Sequence, residues 1–206
     1  MINENGCALK CNHCLGLHRV EIYNKKEGNM GEQLYVLNEN GNIVGLKDRA
    51  EVHDKGLLHL AVQCWVMNQN GDVLIQRRSA TKDKSAGKWD VSFGGHCSAV
   101  EDETQALISN VIKEGSEELG LTICEQDIIK LGEVRYTSQE NKNREIISIY
   151  LTYVNNTQEF VFKDGEVSDV AWIKPDQLKE HIVHNPKEYA NRLGAISLLN
   201  FYIQQL

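Results

Sequence analysis

The order of predicted elements along this 206-residue chain indicates an α+β fold, in which a mixed β-sheet is packed between helices. Two apolar runs flank an Asn-Gly turn at Asn70–Gly71 and predict a hairpin. Apolar residues spaced three to four apart predict one long helix over 103–119. Further strands and two proline-initiated helices follow this helix. Each of these elements has one apolar face, so a layered arrangement is needed to bury them all.

The elements follow one another without a repeat or an interdomain linker. Strands are expected at 34–37, 42–46, 58–66, 72–76, 89–93, 128–136, 145–154, 160–162 and 167–173, with a polar loop at 77–88. Pro175 opens a short helix that reaches His181. Pro186 opens a last helix that reaches Gln205, because the apolar residues in this stretch share one face.

The composition is that of a soluble globular protein, with 41% hydrophobic and 25% charged residues. We expect a cysteine-containing extension over 1–30 and a single domain with a C-terminal helix over 31–206. No apolar run approaches the ~20 residues of a membrane span, and no secretory signal pattern is evident, so we expect a cytoplasmic protein. A net charge of -7 argues against nucleic-acid binding. A homodimer is the default expectation for assembly.

Three carboxylates on the predicted helix are the strongest functional signal. Glu114, Glu117 and Glu118 have the spacing i, i+3, i+4, which places them on one helix face. Like charges on such a face repel each other by roughly a few tenths of a kcal/mol per pair. A hard divalent cation such as Mg²⁺ or Mn²⁺ would relieve this repulsion, because it prefers oxygen ligands. A solvated acidic face is the alternative, and these three residues alone do not exclude it.

The surrounding segment resembles the Nudix box, G-x5-E-x7-R-E-U-x-E-E-x-G-U, where U is a large apolar residue. Gly95-x5-Glu101 resembles its first half, and the run from Glu114 to Leu121 resembles its second half. The resemblance covers most of the chain and implies an α/β/α sandwich, the Nudix domain. It also implies a metal-bound diphosphate site whose chief ligands are Glu117 and Glu118, with Glu114 beside them.

Several positions depart from the box. Lys113 stands at its arginine, which keeps the charge but loses the planar fork, and Gly115 stands at an apolar position. The spacer between Glu101 and Lys113 is also four residues longer than in the box, about one helical turn. Either the helix begins one turn earlier, or Glu103 takes the place of Glu101.

Other residues resemble the isopentenyl-diphosphate isomerase branch of the Nudix superfamily. His53 and His59 precede an apolar strand, and the run from Trp89 to His96 resembles that branch's W-x-x-S-x-C-G-H. Glu145 stands where the isomerases carry a metal-binding glutamate. The resemblance implies a second metal site at His53, His59 and His96, and histidine suits a borderline metal such as Zn²⁺ or Mn²⁺. Each histidine taken singly also has a purely structural explanation.

One departure from the isomerase pattern determines the predicted reaction. The isomerases use a Cys and a Glu on opposite faces of an alkene, and Gly94 stands at the position of that Cys. Glycine carries no acid or base, whereas the residues for metal-assisted attack of water on phosphorus are present. We therefore predict a Mg²⁺-dependent Nudix hydrolase of a nucleoside diphosphate derivative or another organic diphosphate. The alternatives are an isomerase that uses another acid and a non-catalytic Nudix-fold binding module.

The expected roles in hydrolysis fall on two glutamates and a basic loop. Metal coordination orients the diphosphate and lowers the pKa of bound water, and a nearby carboxylate takes the proton. Glu117 is the first choice for ligand and base, and Glu145 is the rival base. In the isomerases, an Arg and a Lys at the positions of Arg78 and Lys82 contact the diphosphate. We expect Gly95 to face the substrate with them, and a solvated basic loop is the alternative.

The N-terminal extension carries Cys7-x3-Cys11-x2-Cys14, a spacing that some radical enzymes use to hold an iron–sulfur cluster. Those enzymes need a large barrel behind the motif, for which the rest of the chain leaves no room. Two alternatives stay open. One is a zinc site completed by His13 or His18, and the other is a mobile tail with reduced thiols.

Overall fold

The structure, a computed structural model, describes residues 31–82, 84–140, 142–190 and 192–206. The predicted extension over 1–30, with its three cysteines, lies outside the described residues. Within the described residues the chain forms nine strands and four α-helices. They are β1 (Gln33–Leu37), β2 (Ile43–Asp48), α1 (Arg49–Lys55), β3 (Leu58–Met67), β4 (Val73–Arg78), β5 (Trp89–Asp90), β6 (Phe93–His96), α2 (Ala106–Glu118), β7 (Ile129–Ser138), β8 (Asn143–Tyr153), β9 (Val167–Ile173), α3 (Pro175–His184) and α4 (Leu193–Ile203). No helix among these is long and apolar enough to cross a membrane.

Strand β3 organises the sheet. One of its edges pairs in parallel with β8 over the full length of β3, from Leu58 opposite Arg144 to Met67 opposite Tyr153. Its other edge pairs antiparallel with β1, β6 and β4 in turn. Strands β7 and β2 extend the sheet outwards, and β4 also pairs with β5 and β9. The sheet is therefore mixed, as the order of predicted elements indicated.

Alternate residues of β3 contribute to two apolar cores on opposite faces of the sheet. Val62 packs in the core that contains Val111 of α2. Trp65 packs in the other core with Ile196 of α4 and Leu178 of α3. This alternation follows from the period of two residues along a strand. The sheet thus lies between helices, and the predicted α/β/α sandwich is confirmed.

Helix α2 carries the predicted acidic face and ends where the sequence predicts. Its C-cap is Leu119, and Gly120 follows in the left-handed conformation with φ of 70°. The backbone N–H groups of Val161 and Lys163 donate to the carbonyls of Leu119 and Glu117 at 3.0 and 3.2 Å. This segment therefore satisfies carbonyl groups that a helix C-terminus would otherwise leave without partners.

Two predicted elements near the C-terminal end differ from the structure, and backbone hydrogen bonds explain both. Residues 160–162 form no strand, because this segment bonds to the end of α2 instead of a sheet edge. Pro186 opens a turn instead of a helix. Residues 188–190 exchange backbone hydrogen bonds with Trp89 of β5, so α4 begins only at Leu193.

Helix α1 is absent from the predicted elements. The Asp48 carboxylate caps its first turn by accepting from the Ala50 N–H at 2.9 Å, and Gly56 ends it with φ of 63°. The helix buries one side chain, Val52. A helix with a single buried position shows no apolar period, although its caps are visible in the sequence. Its importance is that it carries His53.

Candidate active site and metal centres

One cleft of about 700 Å³ gathers most of the predicted site residues. Its lining includes His53, Arg78, Lys82, Gly95, His96, Glu114, Glu117 and Glu145. Two further predicted ligands, His59 and Glu118, are 1% and 2% exposed and are buried beside these residues. We call His53, His59 and His96 the histidine cluster, and Glu114, Glu117 and Glu118 the glutamate face. Both groups therefore belong to a single cleft.

Three different elements position the histidine cluster. His53 lies on α1, His59 on β3 and His96 at the end of β6. The ring centroids are 4.9 to 5.1 Å apart, and one nitrogen of each ring lies within 4.8 Å of the others. Pairing of β3 with β8 places Glu145 directly beside His59. One Glu145 carboxylate oxygen lies 3.3 Å from Nε2 of His96 and 3.6 Å from Nε2 of His59.

The hydrogen bonds of His59 fix its tautomer. Its Nδ1 lies 2.9 Å from the carbonyl oxygen of Leu57, which can only accept, so Nδ1 carries the proton and Nε2 keeps its lone pair. Nε2 of His59 and Nδ1 of His53 are buried and have no hydrogen-bond partner among the described residues. Buried polar atoms of this kind are rare and need a partner. Three imidazole nitrogens and an adjacent carboxylate therefore fit a divalent metal ion.

The electrostatics of the cluster favour the same protonation states that metal ligands need. Burial, together with the neighbouring His96 and Lys84, lowers the pKa of His53 to about 4. Burial also lowers the pKa of His96, against the opposing effect of Glu145. Burial alone would raise the pKa of Glu145, but the adjacent imidazoles of His59 and His96 and a hydrogen bond from Asn143 outweigh it and hold this pKa below its usual range. Neutral imidazole and ionised carboxylate are the metal-binding forms.

The glutamate face lies on the last turns of α2. Glu114 and Glu118 are buried, whereas the Glu117 side chain is 49% exposed at the cleft. Nζ of Lys113 lies 2.9 Å from Glu114 and 3.1 Å from Glu117, so the lysine at the arginine position of the box keeps the ion pairs. Nε2 of Gln76 donates to the Glu118 carboxylate at 2.6 Å.

The buried carboxylates of the glutamate face have too few cationic neighbours to stay ionised easily. Burial raises the pKa of Glu114, although Lys113 opposes the shift. Burial and the neighbouring Glu114 raise the pKa of Glu118 well above its ordinary value, and the single hydrogen bond from Gln76 does not offset them. A hard divalent cation would supply the missing charge, so the donor set fits Mg²⁺ or Mn²⁺.

Two glycines make room for this arrangement. A Cβ atom at Gly95 would lie 2.6 Å from the Glu114 carboxyl carbon, so any larger residue there would displace that carboxylate from its present position. A Cβ atom at Gly115 would lie 2.7 Å from Ile123 and 3.1 Å from Phe93. These two side chains fill the space that the apolar residue of the box would occupy. The departure at Gly115 is therefore compensated by packing.

Gly94 is held against the backbone of β3. A Cβ atom there would lie 2.5 Å from the carbonyl oxygen of Val62 and 3.0 Å from the Cα of Gln63. Real Cβ atoms essentially never approach other atoms so closely. A cysteine at this position would have to push β6 away from β3. The missing acid is thus accompanied by a backbone geometry that has no room for it.

The predicted substrate-binding residues Arg78 and Lys82 line the cleft, and both engage carboxylates. Lys82 forms an ion pair with Glu166. Arg78 lies 3.3 Å from Asp90, which also binds Arg192 through two hydrogen bonds at 2.6 and 2.9 Å. Burial would raise the pKa of Asp90, but the two arginines hold it below its usual value.

Sequence reasoning missed several residues of the cleft. Asp90, Glu166 and Arg192 line it, as does Gln76, which supports Glu118. Asp90 lies within the quoted W-x-x-S run, where its charge was the available signal. Arg192 is 102 residues from its partner Asp90, and no local pattern marks it.

A mixed sheet packed between helices, with a carboxylate-bearing helix at its cleft, defines the α/β/α class of this protein, and comparison with known proteins identifies the family. The NUDIX domain model matches residues 57–193. An uncharacterised Nudix hydrolase of Escherichia coli, YfcD, is 28% identical over 147 residues, which cover 71% of this chain and 76% of that protein. The family model matches well over half of the chain, so the chain belongs to the Nudix family, and the relative from Escherichia coli is named a Nudix hydrolase.

Two other similarities refine this picture. An isopentenyl-diphosphate Delta-isomerase of Paenarthrobacter aurescens is 29% identical over 125 residues, which cover 59% of this chain and 64% of that protein. A crystal structure from Deinococcus radiodurans shares the fold with a TM-score of 0.63 at 20% identity, and the match covers 81% of this chain and 98% of that one. The first similarity agrees with the isomerase-like residues, and the second supports the fold alone.

Proposed function

We propose that this protein is a divalent-metal-dependent hydrolase that cleaves the diphosphate linkage of a nucleoside diphosphate derivative or another polar organic diphosphate. The observation that carries the proposal is the glutamate face, where Gly95 lets β6 approach the buried Glu114 carboxylate at the cleft. Buried carboxylates with raised pKa values and one neighbouring lysine call for a further cation. The similarity to Nudix hydrolases supports hydrolysis as the reaction class.

The residues of the glutamate face have three proposed roles: metal ligand, base and positioning residue. Glu114, Glu117 and Glu118 would hold Mg²⁺ or Mn²⁺. A cation bound there neutralises phosphate charge and lowers the pKa of bound water. Glu117 is the candidate base, because its carboxylate is half-exposed at the cleft and can reach solvent. Lys113 orients Glu114 and Glu117 by contacting both.

The histidine cluster would hold a second, borderline metal such as Mn²⁺ or Zn²⁺. Its support is the pair of buried nitrogens that lack partners among the described residues. Glu145 is the rival base, but its lowered pKa and its position beside His59 and His96 favour a role as a ligand of this metal. A carboxylate with a lowered pKa is a weak proton acceptor.

The walls of the cleft indicate a polar substrate, because six Lys and Arg side chains and seven carboxylates line it. Cations at the proposed metal sites would neutralise carboxylates, and Arg78 and Lys82 are proposed to contact the diphosphate. The hydrophobic side chains of the lining are few, namely Ala61, Val62, Val91 and Tyr136. We propose a small-molecule substrate in the cytoplasm, and no part in nucleic-acid or membrane binding.

Isomerisation of isopentenyl diphosphate is the second candidate, and the histidine cluster with Glu145 favours it. Gly94 argues against it, because this position carries no acid and leaves no space for one. Incubation with isopentenyl diphosphate, followed by measurement of dimethylallyl diphosphate, separates the two reactions. Sustained turnover would show that another residue supplies the proton.

The deciding experiment measures product release with Mg²⁺ across nucleotide sugars, dinucleoside polyphosphates and nucleoside triphosphates. Wild type is compared with Glu117→Gln, and with Glu180→Gln on the exposed surface of α3 as a matched control. On at least one substrate we expect the first variant to lose about 100-fold or more in kcat and the control to match wild type. Removal of the metal should abolish the activity. If wild type, like Glu117→Gln, releases no product from any substrate, the protein is a binding module instead.

A further inference from the structure

A single buried carboxylate holds two guanidinium groups in the wall of the cleft. Asp90 on β5 has a side chain only 1% exposed. It accepts from Nε and from one terminal nitrogen of Arg192 at 2.6 and 2.9 Å, and from Arg78 at 3.3 Å. Nε of Arg78 donates to the carbonyl oxygen of Lys84 at 3.1 Å, which fixes the plane of that guanidinium.

Fold stability gives a poor account of this trio. A buried ion pair is on balance no better for stability than apolar packing of the same volume. A guanidinium has five N–H donors, and each arginine uses two of them among the described residues, so three remain on each. The unused donors suit the oxygens of an anion.

The position of the trio points to the substrate. Arg78 at the end of β4 and Arg192 before α4 both line the cleft, and their side chains are 15% and 22% exposed. Arg192 also interacts electrostatically with Glu145, so the trio lies near the histidine cluster. Guanidinium forks match the oxygens of a phosphate group, and here both forks are oriented before any ligand arrives.

We infer that Arg192, oriented by Asp90 beside Arg78, completes a phosphate-binding subsite that holds one phosphate group of the substrate without any help from a metal ion; the contact of Arg78 itself is already part of the proposed function. This inference rests on the proposed function, because it assumes that the cleft binds the diphosphate. Arg192 is then a substrate-binding residue that no sequence pattern reveals. Asp90 is a positioning residue, since it acts on the substrate only through the two arginines.

The test is calorimetric binding of inorganic pyrophosphate to the full chain after removal of divalent metals. We expect wild type to bind and Arg192→Gln to bind about 10- to 100-fold more weakly, because a charge-assisted contact is lost. Arg192→Lys keeps the charge but not the fork, so its affinity should fall between the two. Arg135→Gln makes the same charge change at an exposed arginine outside the cleft and should match wild type.

Thermal melting of each variant separates binding from folding. If Arg192→Gln lowers the melting temperature but binds pyrophosphate as wild type does, the trio is structural and the inference is wrong. The inference is also wrong if wild type does not bind pyrophosphate in the absence of metal. If Arg192→Gln fails to fold, Arg78→Gln tests the same subsite and should show the same loss. None of these results depends on hydrolysis, so failure here is distinguishable from failure of the proposed function.

Discussion

Replacement of His59 by leucine should raise the stability of the metal-free protein while removing its response to metal. Nε2 of His59 is buried without a partner among the described residues, which costs about 1–3 kcal/mol. Leucine removes this cost but also loses the hydrogen bond from Nδ1 to Leu57, worth about 0.5–1.5 kcal/mol. The net gain is about 1 kcal/mol, or ~2–4 °C in melting temperature for a domain of this size.

Metal should stabilise wild type much more than the variant. For wild type, Zn²⁺ or Mn²⁺ at about 100 times its Kd adds ~2.7 kcal/mol of stability. That gain corresponds to about 5–11 °C in melting temperature. The His59→Leu variant keeps two histidines and a carboxylate but lacks the central buried nitrogen, so most of the shift should vanish.

Differential scanning fluorimetry measures both effects, with protein first stripped of metal and then titrated with each ion. His184→Leu is the matched control, because His184 lies exposed on α3 far from the cluster in sequence. We expect this control to keep the full metal response. The reasoning fails if wild type shows no shift with any divalent ion, or if His59→Leu retains the shift of wild type.

Three further predictions concern other residues of the cleft. Gly95→Ala should weaken Mg²⁺ binding about 10- to 100-fold in calorimetry, because the new Cβ would lie 2.6 Å from the Glu114 carboxyl carbon and displace this ligand. Unchanged affinity would contradict this steric argument. Gly94→Cys should lose about 1–3 kcal/mol of stability in urea unfolding, because its Cβ would collide with the Val62 carbonyl. The variant should also form no dimethylallyl diphosphate. A stable variant with isomerase activity would show that β6 moves to accept the side chain. Asp90→Asn should lose about 3 kcal/mol at pH 7, because it breaks a buried ion pair. The pKa of Asp90 is lowered in the folded state, so its stabilisation is present above 3.8 and lost as the pH falls through the folded value; denaturant curves should therefore converge at acid pH, and a constant difference would argue against the ion pair.

The glutamate face was predictable because helical geometry is local. A spacing of i, i+3, i+4 becomes one face as soon as the helix forms, and Gly120 marks the end of that helix. The spacing mismatch in the box was not resolved by sequence. The structure places a 3₁₀ turn at Glu103–Gln105 before α2, so the extra residues lie ahead of the α-helix and leave its acidic face unchanged.

The histidine cluster and the arginine pair depend on contacts between distant parts of the chain. His59 and His96 meet because β3 pairs with β6, and hydrophobic pattern alone does not encode that pairing. These histidines were predicted from the resemblance to isomerases. That resemblance gave no prediction for Arg192, whose partner Asp90 lies 102 residues away. Helix α1 was missed for a different reason. With Val52 as its one buried residue it shows no apolar period, and its only local signals are the caps Asp48 and Gly56.

Strand β3 and helix α1 lie at opposite ends of the scale of local stability. Both edges of β3 are hydrogen-bonded and all its residues are buried, so its amide protons should exchange with deuterium only in rare global openings. Helix α1, anchored by Val52 alone, should open far more often. A ligand shared by His53 and His59 would fasten the looser element to the firmer one. Slower isotope exchange in a seven-residue helix would then report occupancy of the site without any substrate.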